Sequence, residues 1–161
     1  MRILATALLA LSLTASGAFA TSMDDLVLVD GLWHKKFTDV PFTGKVDEGT
    51  ARGEFKNGKK EGPRVGYWDD GRLMFKGGFK NGEREGPSVT FWNNGQFSYF
   101  AVHENGNREG PSVQYHDNGQ LFWKGEYKNN EQEGLWVTYY ENGTKNEDYS
   151  GTYRNGVKVS Y

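Results

Sequence analysis

The residues that could carry out chemistry in this chain are few. It has three histidines, His34, His103 and His116, and no cysteine. The lack of cysteine excludes a disulfide scaffold, a thiolate zinc site and a thiol nucleophile. A serine or threonine nucleophile needs a neighbouring base, but His103 and His116 occupy positions that aromatic rings fill elsewhere in a repeat. We interpret both as ring replacements and expect no catalytic site; His34, outside the repeat, is an equally good candidate for a surface residue.

Pairs of acidic residues do not indicate a metal site either. Asp69-Asp70 precedes Gly71 in a predicted turn, where Asp is favoured for conformational reasons, and the pair lacks the alternating oxygen ligands of a calcium loop. We therefore expect no metal and no cofactor. With 19 basic and 21 acidic residues the formal charge is -2, so the chain lacks the positive field that nucleic-acid binding requires.

Aromatic side chains are the chemically informative feature, because the chain has 5 Trp, 9 Tyr and 10 Phe. Two interpretations remain open: a buried ladder that holds strands together, or an apolar surface left open for a partner. The candidate binding residues on one aromatic face are Tyr67, Phe75, Phe91, Tyr99, Tyr115, Trp123 and Tyr139. A second surface of exposed rings is predicted from Trp68, Trp92 and Trp136.

These rings recur because the chain is a repeat. The pair Glu-Gly occurs at Glu61, Glu85, Glu109 and Glu133, and the step is 85 minus 61, or 24 residues, each time. Further columns keep this step, including Val65, Val89, Val113 and Val137. Such periodicity is typical of an array of stacked supersecondary units.

Each unit is predicted to be a pair of antiparallel strands. Asn-Gly and Asp-Gly pairs between alternating apolar residues are a strong hairpin signal; examples are Asn81-Gly82 and Asp70-Gly71. In one unit the longer strand is expected over 121–128 and a shorter strand over 135–140. Alternation places Leu73, Phe75, Gly77 and Phe79 on one aromatic face and Lys76 and Lys80 on the other. The small residues Gly77, Ala101 and Gly125 leave room for rings to lie across the strands.

The ends of the chain differ from the repeat. Residues 1–20 combine Arg2, an apolar run and an Ala18-Phe19-Ala20 motif, which predicts a signal peptide cleaved after Ala20 and a periplasmic or secreted protein. Residues 21–41 are predicted to form a lead-in hairpin. The repeat domain is assigned to 42–161, beginning with a shortened hairpin over 42–56.

The unit Gly53 to Pro63 (GEFKNGKKEGP), followed by Tyr67-Trp68-Asp69-Asp70-Gly71, resembles the MORN repeat variant. Chains of this kind are grouped as the YwqK-type family, labelled antitoxin components of toxin–antitoxin modules. The resemblance covers 42–161. It implies an all-β fold, an elongated antiparallel single-layer sheet of stacked hairpins, used for protein partners or membrane association and without a catalytic motif.

Two functions compete. The first is an exported, non-catalytic binding or scaffold protein, antitoxin-like by resemblance, that engages a protein partner through the aromatic face or by strand addition at a sheet edge. The second is a cell-envelope module in which rings stack on wall glycan, or rings and lysines meet phospholipid headgroups. An enzyme is not expected, and neither the partner's identity nor the oligomeric state follows from the sequence.

Overall fold

The computed structural model of this chain describes residues 21–160, so the predicted signal peptide and Tyr161 lie outside the described residues. The described part is all-β and confirms the predicted sheet of consecutive hairpins. A short 3-10 turn, Met23–Asp25, precedes a two-stranded lead-in hairpin, β1 and β2. The other strands form one 11-stranded antiparallel sheet in strict chain order from β3 to β13. The strand bounds are β1 Leu26–Val29, β2 Leu32–Lys35, β3 Gly44–Val46, β4 Ala51–Lys56, β5 Lys59–Tyr67, β6 Leu73–Lys80, β7 Glu83–Phe91, β8 Phe97–Glu104, β9 Asn107–Tyr115, β10 Leu121–Lys128, β11 Glu131–Thr138, β12 Gly151–Arg154 and β13 Val157–Ser160.

The Asn-Gly pairs form the tight turns that the sequence predicts. At Asn81-Gly82 the φ angles are 53° and 92°, and at Asn105-Gly106 they are 48° and 83°. Two consecutive positive φ values define the type I′ turn, whose twist matches that of the flanking strands. Asn130 takes the glycine position of one turn at φ 68°, which Asn tolerates better than other non-glycine residues.

The second turn of each unit is different. Only its glycine has a positive φ, for example 85° at Gly71. The Gly71 amide donates to the Trp68 carbonyl and the Trp68 amide donates to the Arg72 carbonyl, both at 2.8 Å. This is a three-residue hairpin loop closed by a glycine bulge.

The prediction of a short strand over 135–140 is wrong. In the fourth unit β11 spans Glu131–Thr138 rather than 135–140, and its equivalents β5, β7 and β9 have 9 residues each. The Glu-Gly pair lies inside the strand as a bulge: Gly134 has φ 71°, and the register shifts between Lys124 and Glu126 of the neighbouring strand. Glycine acts here as a strand irregularity and not as a strand end.

The glutamate of each Glu-Gly pair joins neighbouring units. The amide of the next turn's asparagine donates to its carboxylate, from Asn81 to Glu61 at 2.9 Å and from Asn105 to Glu85 at 3.0 Å. Asn129 and Asn155 donate to Glu109 and Glu133 in the same way. The recurring glutamate is thus explained by a charge-assisted hydrogen bond between units.

Cross-strand register assigns the two faces of the sheet. Arg64, Gly77, Ser88, Ala101, Ser112 and Gly125 follow one another as direct partners across β5 to β10. Direct partners share a face; we name this side the aromatic face, because Phe75, Phe79, Tyr99, Trp123 and Tyr127 alternate in phase with it. Val65, Lys76, Val89, Phe100 and Val113 pair along the other side, named the opposite face.

This register corrects the predicted binding set. Phe75, Tyr99 and Trp123 lie on the aromatic face, but Tyr67, Phe91 and Tyr115 alternate with the valine column and lie on the opposite face. Tyr139 follows the end of β11 and lines a cavity on each side of the sheet. The Arg52 guanidinium, which is on the opposite face, lies 5.1 Å from the Tyr67 ring centroid. The set expected to form one stripe is therefore divided between two faces.

The lead-in hairpin covers the first end of the aromatic face. Leu26 packs with Val46 and Phe55 in a small buried cluster, flanked by Met23, Trp33 and Phe42. Backbone bonds from the Trp33 amide to the Gly58 carbonyl (2.8 Å) and from the Asp47 amide to the Thr21 carbonyl (3.1 Å) attach it to the sheet. Within residues 21–160 there is no helix long and apolar enough to cross a membrane.

Candidate functional site

The candidate site is the part of the aromatic face that lies beyond the lead-in hairpin. Its floor is a buried row of small side chains, with Ala101 fully buried and Ser88 and Ser112 nearly so. Half-buried rings lean over this floor from both sides. One row is Phe75, Tyr99 and Trp123; the other contains Phe79 and Tyr127, with the buried His103 in the same column.

Small residues in the floor make these ring positions attainable. A Cβ at Gly125 would overlap the Trp136 ring, and a Cβ at Gly66 would overlap the Phe75 ring. The expectation that small residues accommodate rings is thus confirmed at Gly125, whereas Gly77 faces Ser88 instead. The Ser112 hydroxyl is buried with no hydrogen-bond partner among the described residues.

The aromatic face ends in a cavity of about 810 Å³, named here the C-terminal pocket. The segment 139–150 stands beside it, fixed by the Asn146 amide donating to the Thr138 carbonyl at 2.8 Å and by the Ser150 hydroxyl donating to the Asn146 carbonyl at 2.6 Å. Rings dominate its lining: Trp123, Tyr127, Trp136, Tyr149 and Tyr153 among others. Gln132, Asn142 and Asn146 supply amide groups.

The rings of the pocket and of the face form one connected series. Tyr99 lies 5.8 Å from Trp123, and Trp123 lies 5.0 Å from Trp136, between ring centroids. Tyr127 meets Trp136 edge to face at 4.9 Å. The Trp123 indole N–H donates to the Gln114 side-chain oxygen at 3.0 Å, which fixes the orientation of that ring. A ligand in the pocket can therefore continue onto the face without leaving aromatic surface.

Trp136 corrects the predicted second surface. It was expected among exposed rings, but it is only 2% exposed and packs on the aromatic face. Trp68 and Trp92 are half-buried rather than exposed. The Trp92 indole N–H donates to the Tyr115 carbonyl at 3.2 Å, and the His116 Nε2 lies 3.1 Å from the Tyr139 carbonyl. These two equivalent residues link neighbouring units.

Cations line one side of the aromatic face in a repeat column that the sequence analysis missed. Lys60, Arg84 and Arg108 are one step apart, with Gln132 next. The Lys60 ammonium lies 5.2 Å and the Arg84 guanidinium 5.6 Å from the Phe79 ring centroid. The Arg108 guanidinium lies 3.8 Å from the Tyr127 ring centroid. Burial, with smaller contributions from Arg64 and Arg84, lowers the pKa of Lys60, and burial raises the pKa of Tyr127. Aligning the units on the step of 24 residues would have revealed the column.

His103 occupies the column of Phe79 and Tyr127 and pairs directly with Arg108 of the cation column. Burial lowers its pKa, and the neighbouring charges of Arg84 and Arg108 lower it further. Its Nδ1 is 3.4 Å from the Ser88 hydroxyl. A serine beside a neutral histidine resembles part of a hydrolase site, but no described carboxylate bonds to the imidazole and the serine is a buried part of the floor. The pair therefore has the geometry of a packed polar contact.

The opposite face has its own shallower cavity, of about 510 Å³, lined by Phe100, Val113, Leu135, Val137 and Tyr139 among others. Lys124 and Glu126 flank it. Among the described residues no group of His, Cys, Asp and Glu has a geometry that could hold a metal ion. Comparison with protein-family models gives no match, and no curated protein matches the chain.

Proposed function

We propose that this chain is an exported, non-catalytic binding protein that takes an extended protein segment on its aromatic face. The observation that carries the proposal is the continuity of the half-buried rings from Tyr99 through Trp123 into the C-terminal pocket. Within residues 21–160 the lead-in hairpin covers the first end of this face, and the segment 139–150 lines the pocket at its last end.

A segment would bind with one apolar side chain in the pocket and its backbone across the rings. Pockets lined by rings with a few amides are typical anchor sites, since a buried side chain supplies most of the affinity of such an interface. The side-chain amides of Gln132 and Asn146, which line the pocket, offer hydrogen bonds to the segment's backbone. The resemblance to MORN-variant repeats and their antitoxin label is consistent with such protein binding.

The test uses a random peptide library displayed on phage and selected against residues 21–161. Tyr149 is 65% exposed and lines the pocket, so Tyr149→Ala should weaken the selected peptides about tenfold without unfolding the protein. Leu135→Ala, at an equally exposed residue of the opposite face, is the control and should leave binding unchanged. Peptides that bind both variants as well as the wild type would refute the proposal.

Wall glycan is the second candidate ligand, because Gln132, Asn142 and Asn146 lie beside rings in the pocket. Amides that bond sugar hydroxyls, next to rings that stack on sugar faces, would suit a glycan. Sedimentation with purified sacculi that is lost in Tyr149→Ala and kept in Leu135→Ala would favour this ligand over a protein segment. Phospholipid vesicles, tested in the same way, would identify the membrane form of the envelope hypothesis.

Export is a separate part of the proposal. The apolar run and the Ala18-Phe19-Ala20 motif support it. Mass spectrometry of a periplasmic or secreted fraction should find Thr21 as the first residue. Recovery of the chain from the cytosol with Met1 still attached would refute export and leave the binding proposal to its own test.

A further inference from the structure

Charge is distributed unequally between the two faces of the sheet. Alternation and register place every strand carboxylate of the described residues on the opposite face. These are Glu54, Glu61, Glu83, Glu85, Glu104, Glu109, Glu126, Glu131 and Glu133. The aromatic face has Lys60, Arg64, Arg84 and Arg108 on its strands, so it is cationic although the whole chain has a formal charge of -2.

Three of these cations have no carboxylate close by. The ion pairs found among residues 21–160 are Lys45–Glu54, Arg72–Asp70 and Lys145–Glu147. Lys60, Arg84 and Arg108 take part in none of them, and each lies over a ring instead. Arg108 also donates to Asn130, from Nε to the side-chain oxygen and from Nη2 to the carbonyl oxygen, both at 3.3 Å. A guanidinium that lies over a ring keeps its N–H groups in the plane of the fork, where Arg84 can bond a carboxylate in bidentate fashion and Arg108 can bond one through Nη1.

The cations are evenly spaced along the sheet. Lys60, Arg84 and Arg108 lie on alternate strands, β5, β7 and β9. Strands are about 4.8 Å apart, so neighbouring cations are separated by roughly 10 Å along the sheet axis. A chain in the polyproline II conformation advances about 3.1 Å per residue with about three residues per turn, so every third side chain points to the same side at a spacing of roughly 10 Å.

We propose that the segment bound on the aromatic face is acidic, with an apolar anchor in the C-terminal pocket and carboxylates at about every third residue that bond Arg108, Arg84 and Lys60 in turn. This inference rests on the proposed function, because it names the chemistry of the partner at the same site. Arg108 stacks on Tyr127, which also lines the pocket. The first carboxylate therefore follows closely after the anchor.

The test uses a short fluorescein-labelled peptide with one Trp followed by Glu at every third position and Gly or Ser between. Its partner probe has Gln in place of each Glu. Fluorescence anisotropy at low salt should show the Glu probe binding about tenfold more tightly than the Gln probe. The difference should disappear near 1 M salt, where the screening length falls to about 3 Å.

The variant Arg84→Gln with Arg108→Gln should make the two probes bind equally while leaving the Gln probe unaffected. The matched control is Lys80→Gln with Lys128→Gln, which removes the same charge from the opposite face at residues adjacent to Phe79 and Tyr127. This control should keep the preference for Glu. Circular dichroism melts of both double variants establish that each is folded.

The outcomes separate the two proposals. If both probes bind wild type equally, the acidic preference is refuted and the binding function stands. If neither probe binds, and no library peptide is selected either, both proposals fail. Equal loss of the preference in both double variants would indicate non-specific charge attraction and refute the inference. Binding of anionic phosphatidylglycerol vesicles that depends on Arg84 and Arg108, without Glu-probe binding, would refute it in favour of a lipid surface.

Discussion

At the scale of single residues, Trp136 connects the sheet to the pocket. It lies over Gly125, meets Trp123 and Tyr127, and packs against Tyr153 of β12 with ring centroids 6.3 Å apart. Its indole N–H donates to the Glu126 carbonyl at 3.1 Å. The neighbouring Leu135 points to the opposite face and is 69% exposed.

Trp136→Ala should therefore lower the free energy of unfolding by about 3 to 5 kcal/mol, as is typical of a buried aromatic side chain. Leu135→Ala should change it by less than about 0.5 kcal/mol, because the side chain is already in solvent. Urea denaturation followed by tryptophan fluorescence and circular dichroism measures both. Equal effects of the two variants would contradict the assignment of Trp136 to a buried position.

His103 gives a prediction about pH. Burial and the charges of Arg84 and Arg108 lower its pKa below the ordinary value of 6.5, so the unfolded chain binds the proton more readily than the folded protein does. Stability from this residue is therefore complete above about pH 6.5 and is lost as the pH falls through and below that value.

Thermal melts between about pH 5 and about pH 8 should show a larger decrease for wild type than for His103→Phe. Phenylalanine is the natural replacement, since Phe79 occupies the same column. An NMR titration that finds the pKa of His103 above 6.5 would contradict the prediction.

Which residues share a column could be predicted from the sequence, but which columns share a face could not. Alternation relates residues within one strand, so Phe75 and Phe79 were placed together correctly. Leu73 was not, because a register shift beside it pairs it with Tyr67 on the opposite face. Relating Tyr67 to Phe75 requires the register between β5 and β6, and that register depends on how the bulges and turns are built. The same missing information put Trp136 on the wrong face.

At the scale of elements, the Glu-Gly pair illustrates a second limit of prediction. Glycine after a charged residue is typical of a turn, and the strand was therefore expected to begin after it. In the structure the pair is a bulge inside a continuous strand, and the glutamate bonds the next turn. The Asn-Gly turns and β10 could be predicted correctly because their signal is local.

Glu85→Ala should lower the free energy of unfolding by about 1 kcal/mol, because the Asn105 amide then loses a charge-assisted partner at an accessible site. Glu83→Ala, two residues earlier on the same strand and exposed, is the control and should cost less than about 0.5 kcal/mol. Hydrogen exchange should also show faster exchange of the Asn105 amide in Glu85→Ala alone. Unchanged exchange at Asn105 would contradict the role of this bond.

At the scale of the whole molecule, the sheet is an elongated single layer. Eleven strands in sequence order give ten spacings of about 4.8 Å, or about 48 Å, and the longest strands, of 9 residues, are about 30 Å long. Every pairing joins strands that follow one another in the chain. The repeat predicted the consecutive hairpins, and the resemblance to MORN-variant repeats implied that they form a single layer.

Small-angle X-ray scattering should therefore give a radius of gyration of about 17 Å for residues 21–161, compared with about 14 Å for a compact domain of this length. Data extrapolated to zero concentration exclude lengthening by association. A value near 14 Å would mean that the sheet closes on itself in solution.

Because each strand pairs only with its neighbours in the chain, the length of the sheet can change by whole repeat units. A deletion of residues 83–106 would join Gly82 to Asn107, which would take the position in the repeat that Glu83 now occupies. It would remove one unit, with its aromatic side chains and its cation, and leave the lead-in hairpin and the C-terminal pocket unchanged. The aromatic face would shorten by roughly 10 Å. The number of units therefore sets the length of ligand that the aromatic face can hold, independently of the chemistry that each unit recognises.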